Sequence, residues 1–140
     1  MTDTMTGIEI LQPNGWSPPQ GYANGIAAEG RQVFIAGQIG WTAQARLVAD
    51  DLPAQVEQAL KNIVAVLAEA GGAPRHLVRL NWYVTDKADY LAQRKAIGAA
   101  YRRIIGRHFP AMTLLVVAGL LEEGALVEIE ATAVIPKGAR

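Results

Sequence analysis

Hydrophobic positions change period several times along this chain, and each change marks an element. Residues 32–38 (QVFIAGQ) carry β-branched and aromatic side chains and end at a glycine, which predicts a strand. A second short strand is expected between residues 40 and 49. Asp50 and Asp51 then offer carboxylate caps ahead of Pro53, the combination that opens a helix. Val56, Leu60, Ile63 and Leu67 follow at spacings of four, three and four, an amphipathic stripe, and Gly71-Gly72 ends it.

The period then falls to two. In residues 77–84 (LVRLNWYV), Val78, Leu80, Trp82 and Val84 alternate with Arg79, Asn81 and Tyr83, predicting a strand with one polar face. Asp86 with Asp89 opens a second helix, whose apolar side holds Tyr90, Ile97, Tyr101, Ile104 and Ile105 and which ends at Gly106. Residues 112–117 (MTLLVV) predict a strand apolar on both faces. In residues 126–134, Val127, Ile129, Ala131 and Ala133 alternate with Glu128, Glu130 and Thr132.

The predicted order is β-(β)-α-β-α-β-β, an α+β chain with a mixed sheet and two helices on one face. The opposite face then carries Leu and Val from 112–117 beside Arg79, Asn81, Glu128, Glu130 and Thr132. A monomer would expose that apolar surface, so self-association into a closed homo-oligomer is expected. The first 30 residues, rich in Gly, Pro and Asn, are expected to be loop. The whole of 1–140 reads as one domain, with 1–20 a loop-rich N-terminal segment.

Composition narrows the chemistry. The 140 residues include 13 Lys+Arg and 13 Asp+Glu, so the formal charge is zero, a poor basis for phosphate binding. There is no cysteine and there are only two histidines, His76 and His108, which leaves no disulfide, no thiolate nucleophile and no His-rich metal site. No cationic start leads into an apolar run, and stretches such as 111–121 fall far short of the roughly 20 residues that cross a bilayer. The expectation is a cytoplasmic protein with no membrane or nucleic-acid partner. The chain has no Gly-rich phosphate loop, and no cofactor is expected.

Several segments together resemble the Rid (YjgF) family. They are Phe34-Ile35-Ala36-Gly37-Gln38, Gln55, Asn62, Gly71, Tyr83-Val84-Thr85-Asp86 followed by Tyr90, Phe109-Pro110-Ala111, and residues 127–133 (VEIEATA). The resemblance spans residues 21–134. It implies a chorismate-mutase-like fold, a homotrimer with a site at each of three interfaces, and hydrolysis of small enamines or imines, such as 2-aminoacrylate, to a keto acid and ammonia. It also implies site residues. Tyr22 matches an aromatic that lines the family site, and Glu128 matches the acid that orients water, where a carboxylate can pass protons. Gly37 and Gln38 stand where backbone groups approach the ligand, Thr113 offers a hydroxyl, and Arg94 falls near a position that is often Asn.

One departure is prominent. In the active deaminases an arginine follows the Pro-Ala pair and grips the substrate carboxylate with its planar fork. Here that position is Met112, and the position two further on, often Cys, is Leu114. Arg79 and Arg94 are the alternative cations. Against these stand plainer roles: Tyr22 as a packed loop residue, Glu128 as an interface acceptor, Gly37 as a strand-end turn, Thr113 as a strand former, Arg79 as a partner of Glu130 and Arg94 as a solvated helix residue. Three functions remain open at this point: an enzyme acting on an imine, enamine or related metabolite other than 2-aminoacrylate, a non-catalytic trimer that binds a small metabolite, and an RNA-cleaving translation inhibitor. The last is disfavoured by the balanced charge and the lack of a histidine pair for acid–base work.

Overall fold

The computed structural model describes residues 2–3 and 7–138. Two sheets are present. A small antiparallel one joins β1 (Thr2–Asp3), β2 (Ile8–Leu11) and β3 (Gly25–Ala28). The larger contains β4 (Arg31–Gln38), β5 (Leu77–Val84), β6 (Ala111–Val116) and β7 (Val127–Ile135), in the spatial order β4-β7-β5-β6. β7 is antiparallel to both neighbours, and β5 and β6 are parallel, which makes the sheet mixed. Among the described residues, the loop expected over the first 30 is therefore kept as a long stretch only between β2 and β3, residues 12–24. Residues 8–11 and 25–28 pair with one another instead, because Ile8, Ile10 and Ile26 supply the β-branched side chains that a ladder favours.

Helix α1 (Leu52–Glu69) begins where the carboxylate cap was expected: Asp51 Oδ1 accepts a hydrogen bond from Ala54 N at 2.9 Å. It ends at Gly71, whose φ of 79° suits a residue without a β-carbon. Its stripe of Val56, Leu60, Ile63 and Leu67 is fully buried against Ile129, Ala131 and Ala133 of the sheet. The second helix is capped by Asp86 as expected, through Asp89 N at 3.0 Å. It is broken, however, into α2 (Lys87–Ala92) and α3 (Arg94–Ile104). Gln93 leaves helical geometry at φ −111° and ψ 15°, and its side chain turns back to Asp89 Oδ1. Three helices thus replace the two expected.

The strand expected within 40–49 does not form. A turn closes instead, with Thr42 N donating to Arg46 O at 2.8 Å and one isolated bridge between Trp41 and Leu47. The carbonyls of Ile39 and Trp41 are taken by Asn62 Nδ2 from α1, at 3.3 and 2.9 Å, which gives this backbone an alternative to a ladder.

The helices cover one face of the larger sheet, and α3 joins it through Tyr101, whose ring lies 6.4 Å from Trp82 and 5.5 Å from Phe109. The other face has no helix. Among the described residues no helix is long and apolar enough to cross a membrane.

Candidate functional site

The uncovered face is built by alternation. β7 points Val127, Ile129, Ala131 and Ala133 into the core, leaving Glu128, Glu130 and Thr132 on the other side. Tyr83 of β5 lies opposite Glu128, and Asn81 lies opposite Glu130. Tyr83 OH donates to Glu130 Oε1 at 2.5 Å, and Asn81 Nδ2 donates to the same oxygen at 3.1 Å. The hydrogen bond to Glu130 holds the Tyr83 phenol above its ordinary pKa. Burial and the charges of Glu130 and Glu128 add to this, and Arg79 opposes it. Arg79 donates to Asn81 Oδ1 at 3.2 Å. It therefore reaches Glu130 only through Asn81, and the direct Arg79–Glu130 pair considered from the sequence is not formed within the chain.

Glu128 has a second neighbour. The β4–β7 ladder slips between Ile35 and Gln38, a bulge that brings Gly37 against the Glu128 side chain. A β-carbon on Gly37 would stand 2.8 Å from Glu128 Cδ and 2.9 Å from Cγ, closer than packed atoms tolerate. Gly37 lies inside the strand without a positive φ, so close approach to Glu128, and not a strand-end turn, explains the glycine. Gln38 is beside it, with Nε2 donating to Ala36 O at 3.1 Å.

The remaining candidates fall elsewhere. Met112 and Leu114 lie opposite Leu80 and Trp82 and are half-buried against the core, on the helix-covered side of β6. Thr113 and Leu115 occupy the other side of that edge strand, opposite Asn81 and Tyr83. Tyr22 is exposed, and the adjoining Ala23 pairs with Ala111 and donates to Pro110 O at 3.0 Å, which sets Tyr22 beside the start of β6. Arg94 opens α3 in solvent, and no hydrogen bond or ion pair holds it among the described residues. One chain thus gathers Glu128, Gly37 and Gln38 at the β4–β7 bulge, and Tyr22, Met112, Thr113 and Leu114 along the β6 edge. It does not join the two groups.

Two residues that position the site had no assigned role in the sequence beyond belonging to the resemblance. Gln55 is fully buried; its Nε2 donates to Ala49 O and Gly124 O at 2.9 and 3.0 Å, and its Oε1 accepts from Leu126 N at 2.8 Å. It ties α1 to the approach to Glu128, as Asn62 ties it to the segment after Gln38. A polar residue interrupting an apolar helical stripe was the available signal. A depression of about 1410 Å³ lies between β2–β3 and the end of α1 and contains none of the candidates.

Known proteins are similar to this chain in sequence and in fold. The family model described as Endoribonuclease L-PSP matches residues 14–135. The chain is 34% identical over 109 residues to Protein DfrA of Myxococcus xanthus, covering 75% of this chain and 77% of that one. It is 32% identical over 116 residues to the 2-iminobutanoate/2-iminopropanoate deaminase of Salmonella typhimurium, covering 81% and 86%. The crystal structure of YyfB from Yersinia pestis, a conserved Rid-family protein, superposes with a TM-score of 0.82 at 34% identity, covering 92% and 99%. This α+β chain belongs to the Rid (YjgF) family.

Proposed function

We propose that the protein hydrolyses a small imine or enamine, releasing ammonia and a carbonyl compound, at clefts between copies in a homotrimer. The observation that carries this is Glu128, a carboxylate fitted against the Gly37 bulge beside the Gln38 backbone. A carboxylate so placed can take a proton from water as it adds to the C=N carbon, and return it to nitrogen as the C–N bond breaks. A second copy would supply the Tyr22–Met112–Leu114 edge that the first cannot bring to Glu128. The half-exposed Leu115 and Val116 on that edge support such a contact. With Met112 where the deaminases of the family carry arginine, the cleft has no fork for a carboxylate at that point, which turns the protein away from standard 2-aminoacrylate hydrolysis.

The test is ammonia release from a panel of imines generated in place by amino-acid oxidases, comparing wild type with Glu128→Gln. A rate above background that Glu128→Gln abolishes is expected. Equal background rates across the panel would overturn the proposal.

A second reading, a trimer that binds a small metabolite without chemistry, is favoured by the apolar Met112 and Leu114. A ligand that raises the melting temperature of wild type and of Glu128→Gln equally, with no turnover, would establish it.

A further inference from the structure

Two of the four asparagines, Asn14 and Asn24, precede a glycine, and the fold treats them in opposite ways. Residues 13–16 (PNGW) form a tight turn on the connection between β2 and β3 of the small sheet, not on a strand of the larger sheet whose open face copies close. Trp16 N closes the turn by donating to Pro13 O at 3.2 Å, and Gly15 takes the φ of 88° that the third turn position favours. That bond leaves the Gly15 amide out. Among the described residues no acceptor meets it, and the exposed Asn14 carboxamide has no partner. Nothing stands within 4 Å of the place where a β-carbon on Gly15 would lie. Asn24 is held. Its Nδ2 donates to Gln12 Oε1 at 2.8 Å, and Gly25 sits in the β2–β3 ladder opposite Leu11, whose side chain packs against it. Asn62 lies within α1 and Asn81 within β5, ahead of Ile63 and Trp82, whose side chains crowd the following amide.

We propose that Asn14 is a site of spontaneous deamidation and isoaspartate formation in the folded protein, and that Asn24 is not. The Gly15 nitrogen, on losing its proton to hydroxide, adds to Asn14 Cγ. The Cγ–Nδ2 bond then breaks, Nδ2 leaves as ammonia with a proton from water, and a succinimide ring remains. Water adds to a ring carbonyl and opens it, giving aspartate through one carbonyl and isoaspartate through the other. Overall one water is consumed and one ammonia released, with no oxidant, reductant or cofactor. Attack requires a carboxamide free to swing and a bare glycine nitrogen, and this turn supplies both. At Asn24 the ladder must open first. The isoaspartyl product sends the main chain through the side-chain carboxyl, which lengthens the turn between Pro13 and Trp16. Trp16 N then moves off Pro13 O, and the Gln12 Nε2 bonds to Trp16 O and Ser17 O, at 3.3 and 3.2 Å, loosen with it. The change adds a negative charge to a chain of zero formal charge. None of this depends on hydrolysis at Glu128.

The experiment incubates the full chain, assembled as purified, in mildly alkaline buffer. Each asparagine is followed by peptide mass spectrometry, and isoaspartyl groups are counted by enzymatic carboxyl methylation. Asn14 is expected to convert at least about tenfold faster than Asn24, with Asn62 and Asn81 unchanged. In urea that unfolds the chain the Asn14 and Asn24 rates should come together, because both precede glycine. Asn14→Gln, whose longer side chain closes its ring far more slowly, should lose most of the isoaspartyl signal, and Asn24→Gln should keep it. Equal rates at Asn14 and Asn24 in the folded protein, a signal that survives Asn14→Gln, or a gap as wide in urea as in buffer would overturn the proposal. So would an Asn14 that reacts in urea but not in buffer, since a second copy would then cover the turn.

Discussion

Gly37 lies so close to Glu128 that the carboxylate occupies the space a β-carbon would need. Gly37→Ala should therefore displace Glu128, with an overpacking cost of about 1–3 kcal/mol. Imine hydrolysis should drop to the level of Glu128→Gln while the chain still folds. Ammonia release and a thermal melt on the same preparation check this.

Gln55→Leu keeps the volume of the side chain but leaves Leu126 N, Ala49 O and Gly124 O without their partner. Unsatisfied buried groups of this kind make a loss of about 2–4 kcal/mol the expectation in urea unfolding. Gln12→Leu, which removes hydrogen bonds made in solvent, should shift stability by less than about 0.5 kcal/mol.

His76 is buried, with Nδ1 accepting from Ala73 N at 3.0 Å and Nε2 without a partner among the described residues. Burial, then the charges of Arg75 and His108, lower its pKa from 6.5. In the unfolded chain the imidazole gains a proton near its ordinary value while the folded chain stays neutral. Stability should hold above about pH 7 and fall as pH drops through 6.5. His76→Gln, whose amide oxygen can still accept from Ala73 N, should flatten that part of the profile of melting temperature against pH.

Met112→Arg restores a cation at the β6 edge. Met112 is only half-buried, so the longer side chain can run its stem along Leu80 and Leu114 and bring its head to water or ligand. Hydrolysis of 2-iminopropanoate should rise above that of wild type, read as keto-acid release. No gain would show that the cleft has diverged beyond this one position.

Much of this was legible in the sequence because period and cap are local signals. The α1 stripe, the Asp51 and Asp86 caps, and the alternation of Glu128 and Glu130 with apolar neighbours all stand in the structure as they read in the chain. What the sequence hid is set by contacts distant along it. Nothing near Gly37 announces that its neighbour is Glu128, and nothing near Gln55 that its partners are Ala49, Gly124 and Leu126. The failure of 40–49 to form a strand has the same origin, since Asn62 claims its carbonyls from another element. Met112 and Leu114 read as lining one cleft with Glu128; within a single chain the pleat of β6 sets them on the other side of the sheet, and only a second copy can bring that edge strand to Glu128.

The order of the larger sheet has a consequence for synthesis. β7 is the last of the described strands, yet it lies between β4 and β5. Until it leaves the ribosome, β4 has no strand to bond in that sheet, and the buried stripe of α1 lacks Ile129, Ala131 and Ala133. The amide of Leu126 must also find a carboxamide 71 residues earlier. The nascent chain therefore carries an open strand edge and bare apolar surface until residues 127–135 have been made. The strand that closes the fold is also the one that delivers Glu128.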